Sequence, residues 1–348
     1  MRLKVIKKGL IFNPENRNFQ ICHASNLCKL DSGEVVAVWF AGSKEGEPDT
    51  AIWMSHLNNG EWSEPQKVSD DIYEAHWNPV IFQGENGQLM LFYKVGNNIK
   101  EWRTLLRISD DNGKTWKKAE ELVKGDRGGR GPVRCKLIEL SDHSMIAGAS
   151  TEDGIWTAYA DRSVDNGKTW NLGNPIRLNV DYCGENTAEN SDIQVSAQSF
   201  YGRGVIQPTI WESEKGRVHM LLRSTEEEIY RSDSEDYGKT WSKAYTTGLP
   251  NNNSGIDVVK CSDGNLVLCC NPVRKNWGER TPIVLMISED NGETWKQEFI
   301  LEDALGEYSY PCIIENNGTI YVSYTYDRKS IAYWELKEES ENEKNSRK

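Results

Sequence analysis

One eight-residue pattern constrains this chain more than anything else in it. Ser109-Asp-Asp111-Asn-Gly113-Lys-Thr115-Trp116 returns as Ser163-Val-Asp165-Asn-Gly167-Lys-Thr169-Trp170, as Ser234-Glu-Asp236-Tyr-Gly238-Lys-Thr240-Trp241 and as Ser288-Glu-Asp290-Asn-Gly292-Glu-Thr294-Trp295. A worn fifth copy runs from Ser55 through Gly60 to Trp62, and the five tryptophans are spaced 54, 54, 71 and 54 residues apart. Self-similarity at such a period marks stacked supersecondary units, each unable to bury its apolar face alone. The octapeptide has the chemistry of a turn. Asp bonds backbone amides that follow it, Gly supplies a positive φ, and Trp packs between neighbouring sheets. Asp111, Asp165, Asp236 and Asp290 are therefore structural, since an active site does not recur every 54 residues. The one long spacing locates an insertion before Trp241, around residues 179–199, which also carries Cys183.

A second marker runs in phase with the first. Turns at Ser32-Gly33, Asn86-Gly87, Asp142-His143, Lys215-Gly216, Asp263-Gly264 and Asn317-Gly318 each separate two apolar runs, which makes six units. Short alternating or fully apolar segments such as Glu34–Phe40, Gln88–Tyr93, Arg217–Leu222 and Thr319–Tyr324 read as strands, and no segment keeps a helical period. The pattern predicts an all-β fold, a six-bladed β-propeller of four-stranded antiparallel blades. The sixth unit has no turn motif of its own, so the N-terminal strand Leu3–Phe12 is expected to complete it. One domain over residues 1–336 results, with a charged, disordered tail over 337–348.

Composition narrows the function. A formal net charge of -12 opposes nucleic-acid binding, which needs a concentrated basic face. Neither a membrane-spanning run nor a secretory signal is legible, so the chain reads as cytoplasmic, or as secreted if a leader has been removed. Eight cysteines without a CxxC pair read as reduced, buried thiols, and neither a metal site nor a cofactor motif is expected.

In a propeller the first strand of each blade lines the central channel. Stacking these strands aligns His23-Ala-Ser25, His76-Trp-Asn78, Arg134-Cys-Lys136, Val205-Ile-Gln207, Gly255-Ile-Asp257 and Tyr308-Ser-Tyr310. A ring of His, Asn, Arg, Lys, Gln, Asp and Tyr reads as a lined cavity, the alternative being a shaft whose polar groups bond one another.

With the repeats in place, the chain resembles the sialidase superfamily from about His23 to Tyr333, its octapeptides matching that family's Asp-boxes. The resemblance implies an arginine triad for a substrate carboxylate, an aspartate acid/base, and a tyrosine nucleophile helped by a glutamate. On that pattern Asp49 is the acid/base, Arg223 and Arg280 are two of the arginines, and Tyr308 is the nucleophile. Two positions depart. His23 stands where the first arginine is expected and Gln207 where the helper glutamate is. His lacks the bidentate fork of Arg and Gln cannot take a phenol proton, so sialidase activity is expected to be weak or absent. The pattern looks like a diverged branch found in bacteria and plants.

Three functions stay open. The first is an exo-glycosidase releasing a terminal acidic sugar from a glycan or oligosaccharide. Here Asp49, Tyr308 and His23 do the chemistry, and Arg223, Arg280, Gln207, His76, Asn78, Arg134, Lys136, Asp257 and Tyr310 bind substrate. The second is a lyase eliminating across a uronate, with arginine neutralising the carboxylate and His or Tyr taking the proton. The third is a non-catalytic glycan binder.

Overall fold

The computed structural model describes residues 2–152, 154–179 and 202–339. Among them the chain is all-β, with 3-10 turns at Pro14–Asn16 and Ile99–Glu101 and no α-helix, hence no helix long and apolar enough to cross a membrane. The octapeptide turns form as their chemistry demands. In all four, Ser Oγ donates to Asp Oδ1 at 2.8 Å and accepts the Gly N–H at 2.8 to 2.9 Å. The Thr N–H also donates to the Asp carboxylate at 2.8 to 2.9 Å. The residue before each Gly, such as Asn112 (φ 60°), also has positive φ, so two left-handed residues close every turn.

The strands form five hydrogen-bonded sheets, none closed on itself. Consecutive strands are antiparallel with one exception. Ile155 pairs with Arg203 and Trp156 with Gly204 in parallel, fusing the third and fourth repeats into one eight-stranded sheet rather than two separate ones. The N-terminal strand Leu3–Leu10 pairs antiparallel with the last strand, Ser330–Glu338, from Leu3 opposite Glu338 to Leu10 opposite Ala332. The last strand outruns the expected end at Leu336: Lys337 pairs with Lys4, and the Glu339 N–H donates to the Arg2 carbonyl at 2.9 Å. Most of the insertion, with Cys183, and residues 340–348 of the tail lie outside the described residues. The seven described cysteines are free and buried.

Apolar layers join each repeat to the next. Ile81 and Leu91 pack on Val38 and Ile52, Leu137 and Met145 on Val80 and Phe92, and Val218 and Met220 on Ile146 and Ala158. Ile256 and Leu268 pack on Trp211 and Leu221, Ile313 and Val322 on Val267 and Leu285, and Trp39 and Leu27 of the first repeat on Tyr321 and Tyr333 of the sixth. Every octapeptide Trp lies in or against one of these layers. A buried large side chain contributes about 1.5 to 3 kcal/mol, so the layers hold the repeats in register.

Polar bonds fill the middle of the molecule. Asn26 Nδ2 donates to the Arg134 carbonyl (3.1 Å) and its Oδ1 accepts the Ile81 N–H (3.1 Å). Arg134 reaches the Pro311 carbonyl (2.7 Å) and the Ile256 carbonyl. Lys136 Nζ lies 2.9 Å from Asp257 Oδ1, which also accepts from Thr209 Oγ1 (2.5 Å), while Asp257 Oδ2 accepts the Ile313 N–H (2.9 Å). These bonds tie the inner segments of all six repeats together.

Candidate active site

The local backbone explains how the site forms. Ala24, Asn78, Gln207 and Tyr310 each sit at a bulge where the inner strand loses register with its neighbour, and each has a left-handed φ between 45° and 56°. Arg134 (φ 63°) occupies the matching place in the third repeat. Such conformations cost energy in residues with a Cβ, and they turn side chains toward the middle that a regular strand would aim into a layer. The structural alignment thus runs through Ala24, Asn78, Arg134, Gln207 and Tyr310. It shifts the sequence alignment by one residue at His23 and by two at His76, Val205 and Tyr308.

This shift corrects the tyrosine assignment. Tyr308 is buried against Tyr324 and Tyr326, and burial first, then Tyr326, Asp327 and Glu302, pushes its phenol up to about 12. Tyr310, two residues on, lines a narrow pocket with Gln207, Arg223, Asn78, Glu45 and Glu152, walled by Trp77, Trp102 and Trp277. Arg223 NH1 donates to the Tyr310 hydroxyl at 2.5 Å and to Gln207 Oε1 at 3.0 Å, and its Nε donates to Asn253 Oδ1 at 2.9 Å. The guanidiniums of Arg223, Arg280 and Arg134 lie 5.5, 5.4 and 5.7 Å from the Tyr310 ring centre. Arg223 and Arg280 do converge from neighbouring repeats as expected, on Tyr310 rather than Tyr308.

Other expected residues take different places. Asp49 is exposed, and its carboxylate closes its own loop by accepting from the Ser43 N–H (3.0 Å) and Ser43 Oγ (2.9 Å). Glu45, on the same loop, lines the pocket instead. Lys136 and Asp257 bond each other and the inner strands, and Arg134 bonds carbonyls of the inner strands, which is the bonding expected of a polar shaft. His76 stacks on Tyr93 (5.3 Å) with Nδ1 on the Glu74 carbonyl, and burial lowers its pKa. His23 packs on the Tyr310 ring (4.2 Å) with Nδ1 on Thr325 Oγ1. Burial first, then Arg328, Arg280, Arg223 and Arg134, holds its pKa well below the usual histidine range, so the imidazole is neutral.

The sequence reading missed four charged groups, Glu45 among them. Arg328, in the turn after strand Thr319–Tyr326, is buried and joins the cluster: its Nε bonds both Glu307 oxygens (2.9 and 3.1 Å) and its NH1 bonds Glu45. Glu307 also accepts from Arg280 NH1 at 2.5 Å. Burial works to raise the Glu307 carboxyl, but Arg280 and Arg328 outweigh it and hold it below the usual range. Glu152, whose Oε1 accepts from Gln207 Nε2 at 3.3 Å, is the opposite case: burial raises its carboxyl against the pull of Arg223. A raised carboxyl beside a pocket is a candidate proton donor.

Comparison with known proteins agrees with this architecture. The fold, with its repeated Asp-boxes, is of the sialidase-like type. The profile of the BNR repeat-like domain matches residues 33–322, and the chain belongs to that family. Among solved structures, a protein of unknown function from Dyadobacter fermentans DSM 18053 aligns with a TM-score of 0.74 at 15% identity, covering 97% of this chain and 99% of that one. The Hadza microbial sialidase Hz136 aligns with 0.76 at 17%, covering 95% and 68%. The NanB sialidase from Streptococcus pneumoniae aligns with 0.70 at 15%, covering 97% and 71%. A comparison with curated proteins returns no match.

Proposed function

We propose that the chain is a glycoside hydrolase that removes a terminal sugar from a glycan or oligosaccharide, on a single six-bladed propeller running to Glu338. The ring of apolar layers, each repeat on the next and the sixth on the first, supports the propeller. One observation carries the chemistry: Tyr310, held on a strained bulge at a pocket, has its oxygen bonded by Arg223 at 2.5 Å. In this reading the Tyr310 oxygen, oriented by Arg223, faces the anomeric carbon and stabilises the positive charge that develops there, without forming a bond to it. Glu152 delivers its proton to the departing glycosidic oxygen and, as carboxylate, takes a proton from the water that completes hydrolysis. Neutral His23 buttresses the Tyr310 ring.

Elimination at a uronate is the second reading, favoured by Gln207 standing beside Arg223 where a carboxylate would be needed to take the phenol proton. A panel of sialyl, glucuronyl, rhamnosyl and hexosyl oligosaccharides, followed for new reducing ends and for the ultraviolet absorbance of an unsaturated uronate, separates the two. Reducing ends without absorbance, lost in Tyr310→Phe, support hydrolysis. Absorbance means elimination, and turnover untouched by Tyr310→Phe rejects both.

A further inference from the structure

The guanidiniums around Tyr310 are not equally free. Arg280 and Arg328 share one internal carboxylate, Glu307, through contacts of 2.5, 2.9 and 3.1 Å, and Arg328 holds Glu45 as well. Arg134 spends both terminal nitrogens on the Pro311 and Ile256 carbonyls and the Cys135 thiol. Arg223 differs: its hydrogen-bond partners among the described residues, Asn253, Gln207 and Tyr310, are all uncharged. A ligand carboxylate therefore finds one guanidinium in the pocket lining, against the two carboxyl groups of Glu45 and Glu152.

Two arginines whose charges are already balanced by the half-buried Glu307 and by Glu45 gain little from a third carboxylate. A ligand carboxylate beside Arg280 and Arg328 would lie against the negative charges of Glu307 and Glu45, and that repulsion offsets what the guanidiniums offer it. Sugar hydroxyls, in contrast, suit what the pocket offers. Carboxylate oxygens accept from hydroxyl groups and an arginine N–H donates to them, and the narrow pocket, about 20 Å³ among the Trp77, Trp102 and Trp277 indoles, has room for a hydroxyl-bearing edge of a sugar rather than for a whole ring.

We infer that the sugar this pocket takes is uncharged, a neutral hexose or deoxyhexose terminus, because Glu307 occupies the arginine pair that a sialic or uronic acid would need. The inference rests on the reading of the pocket as a site for a terminal sugar, and it replaces the acidic sugar expected from the sequence. It also disfavours elimination, which requires a uronate. Glu307 becomes the residue that sets specificity, an internal counterpart of the absent substrate carboxylate.

Matched ligands test it by binding alone. The 348-residue chain is titrated with methyl glucoside against methyl glucuronide, methyl galactoside against methyl galacturonide, and with methyl rhamnoside and methyl sialoside. Tryptophan emission and saturation-transfer NMR are the readouts. The expected result is binding of at least one neutral glycoside, with the acidic ligands at least tenfold weaker. Glu307→Gln, which releases Arg280 and Arg328, is expected to shift the acid-to-neutral affinity ratio at least tenfold toward the acid. Wild-type protein that binds a uronide or the sialoside tenfold tighter than the neutral glycosides overturns the inference and leaves the pocket reading standing. Binding of none of them overturns both. A folded Glu307→Gln protein with the wild-type ratio overturns the role given to Glu307. If that variant does not fold, the wild-type comparison decides the matter by itself.

Discussion

Removing the Asp257 carboxylate should destabilise the centre of the molecule without disturbing any substrate contact. Asp257 is fully buried and accepts three hydrogen bonds, from Lys136 Nζ (2.9 Å), Thr209 Oγ1 (2.5 Å) and the Ile313 N–H (2.9 Å). It so joins four inner segments. Asp257→Ala leaves an ammonium with only the Val258 carbonyl as a partner (2.7 Å), and stranding one member of a buried ion pair typically costs about 3 to 5 kcal/mol. The unfolding entropy is roughly 2.1 cal/mol/K per residue, so a chain of 348 residues should lose ~4 to 7 °C in Tm. Scanning calorimetry and urea denaturation at neutral pH measure this directly. The double variant Asp257→Ala with Lys136→Met removes the stranded charge and should recover part of the loss, because the two substitutions act on one contact. A Tm within about 1 °C of wild type, together with lost turnover, would refute the shaft reading and return Asp257 to the binding residues.

Further outcomes follow from the same geometry. Asp49→Asn should keep turnover within about threefold, because the carboxylate bonds its own loop; a loss of 100-fold or more in kcat would restore it as the acid. Glu152→Gln should lower kcat by about 100-fold to 10,000-fold, and wild-type kcat should fall as pH rises through the raised Glu152 pKa; a profile flat from pH 5 to 9 argues against that role. Glu307 has a folded pKa below its ordinary 4.5, so the folded state binds fewer protons than the unfolded one near and below that value. Its stabilisation is present above pH 4.5 and fades as pH falls through the folded pKa, and acid titration of Glu307→Gln should show a shallower loss than wild type.

How far the sequence carried these conclusions differs between frame and site. Each octapeptide is a self-contained turn whose Ser, Asp, Gly and Thr bond one another within eight residues, so local chemistry suffices to read it. The inner strands lack that property. Their bulges slip the register, and a slip redirects every side chain beyond it. A signal for the slip was present: Asn78-Pro79, Gln207-Pro208 and Tyr310-Pro311 place a proline, which cannot donate to a ladder, right after the left-handed residue. Aligning on those prolines selects Tyr310 over Tyr308. Arg328 carried no such mark. In Tyr326-Asp-Arg-Lys-Ser330 it reads as an exposed hairpin turn, and only tertiary packing brings it to Glu307 and Glu45. Glu45 and Asp49 share one short loop, and spacing alone could not tell which carboxylate faces inward.

The most direct measurement compares two tyrosine variants on whichever oligosaccharide the panel identifies. Tyr310→Phe keeps the ring between the guanidiniums and removes only the oxygen that Arg223 bonds; Tyr308→Phe changes a side chain packed against Tyr324 and Tyr326. The account predicts a fall in kcat/KM of about 100-fold to 10,000-fold for Tyr310→Phe, with an unchanged Tm, and a value within about threefold of wild type for Tyr308→Phe. The reverse pattern, with Tyr308→Phe inactive and Tyr310→Phe active, would contradict it.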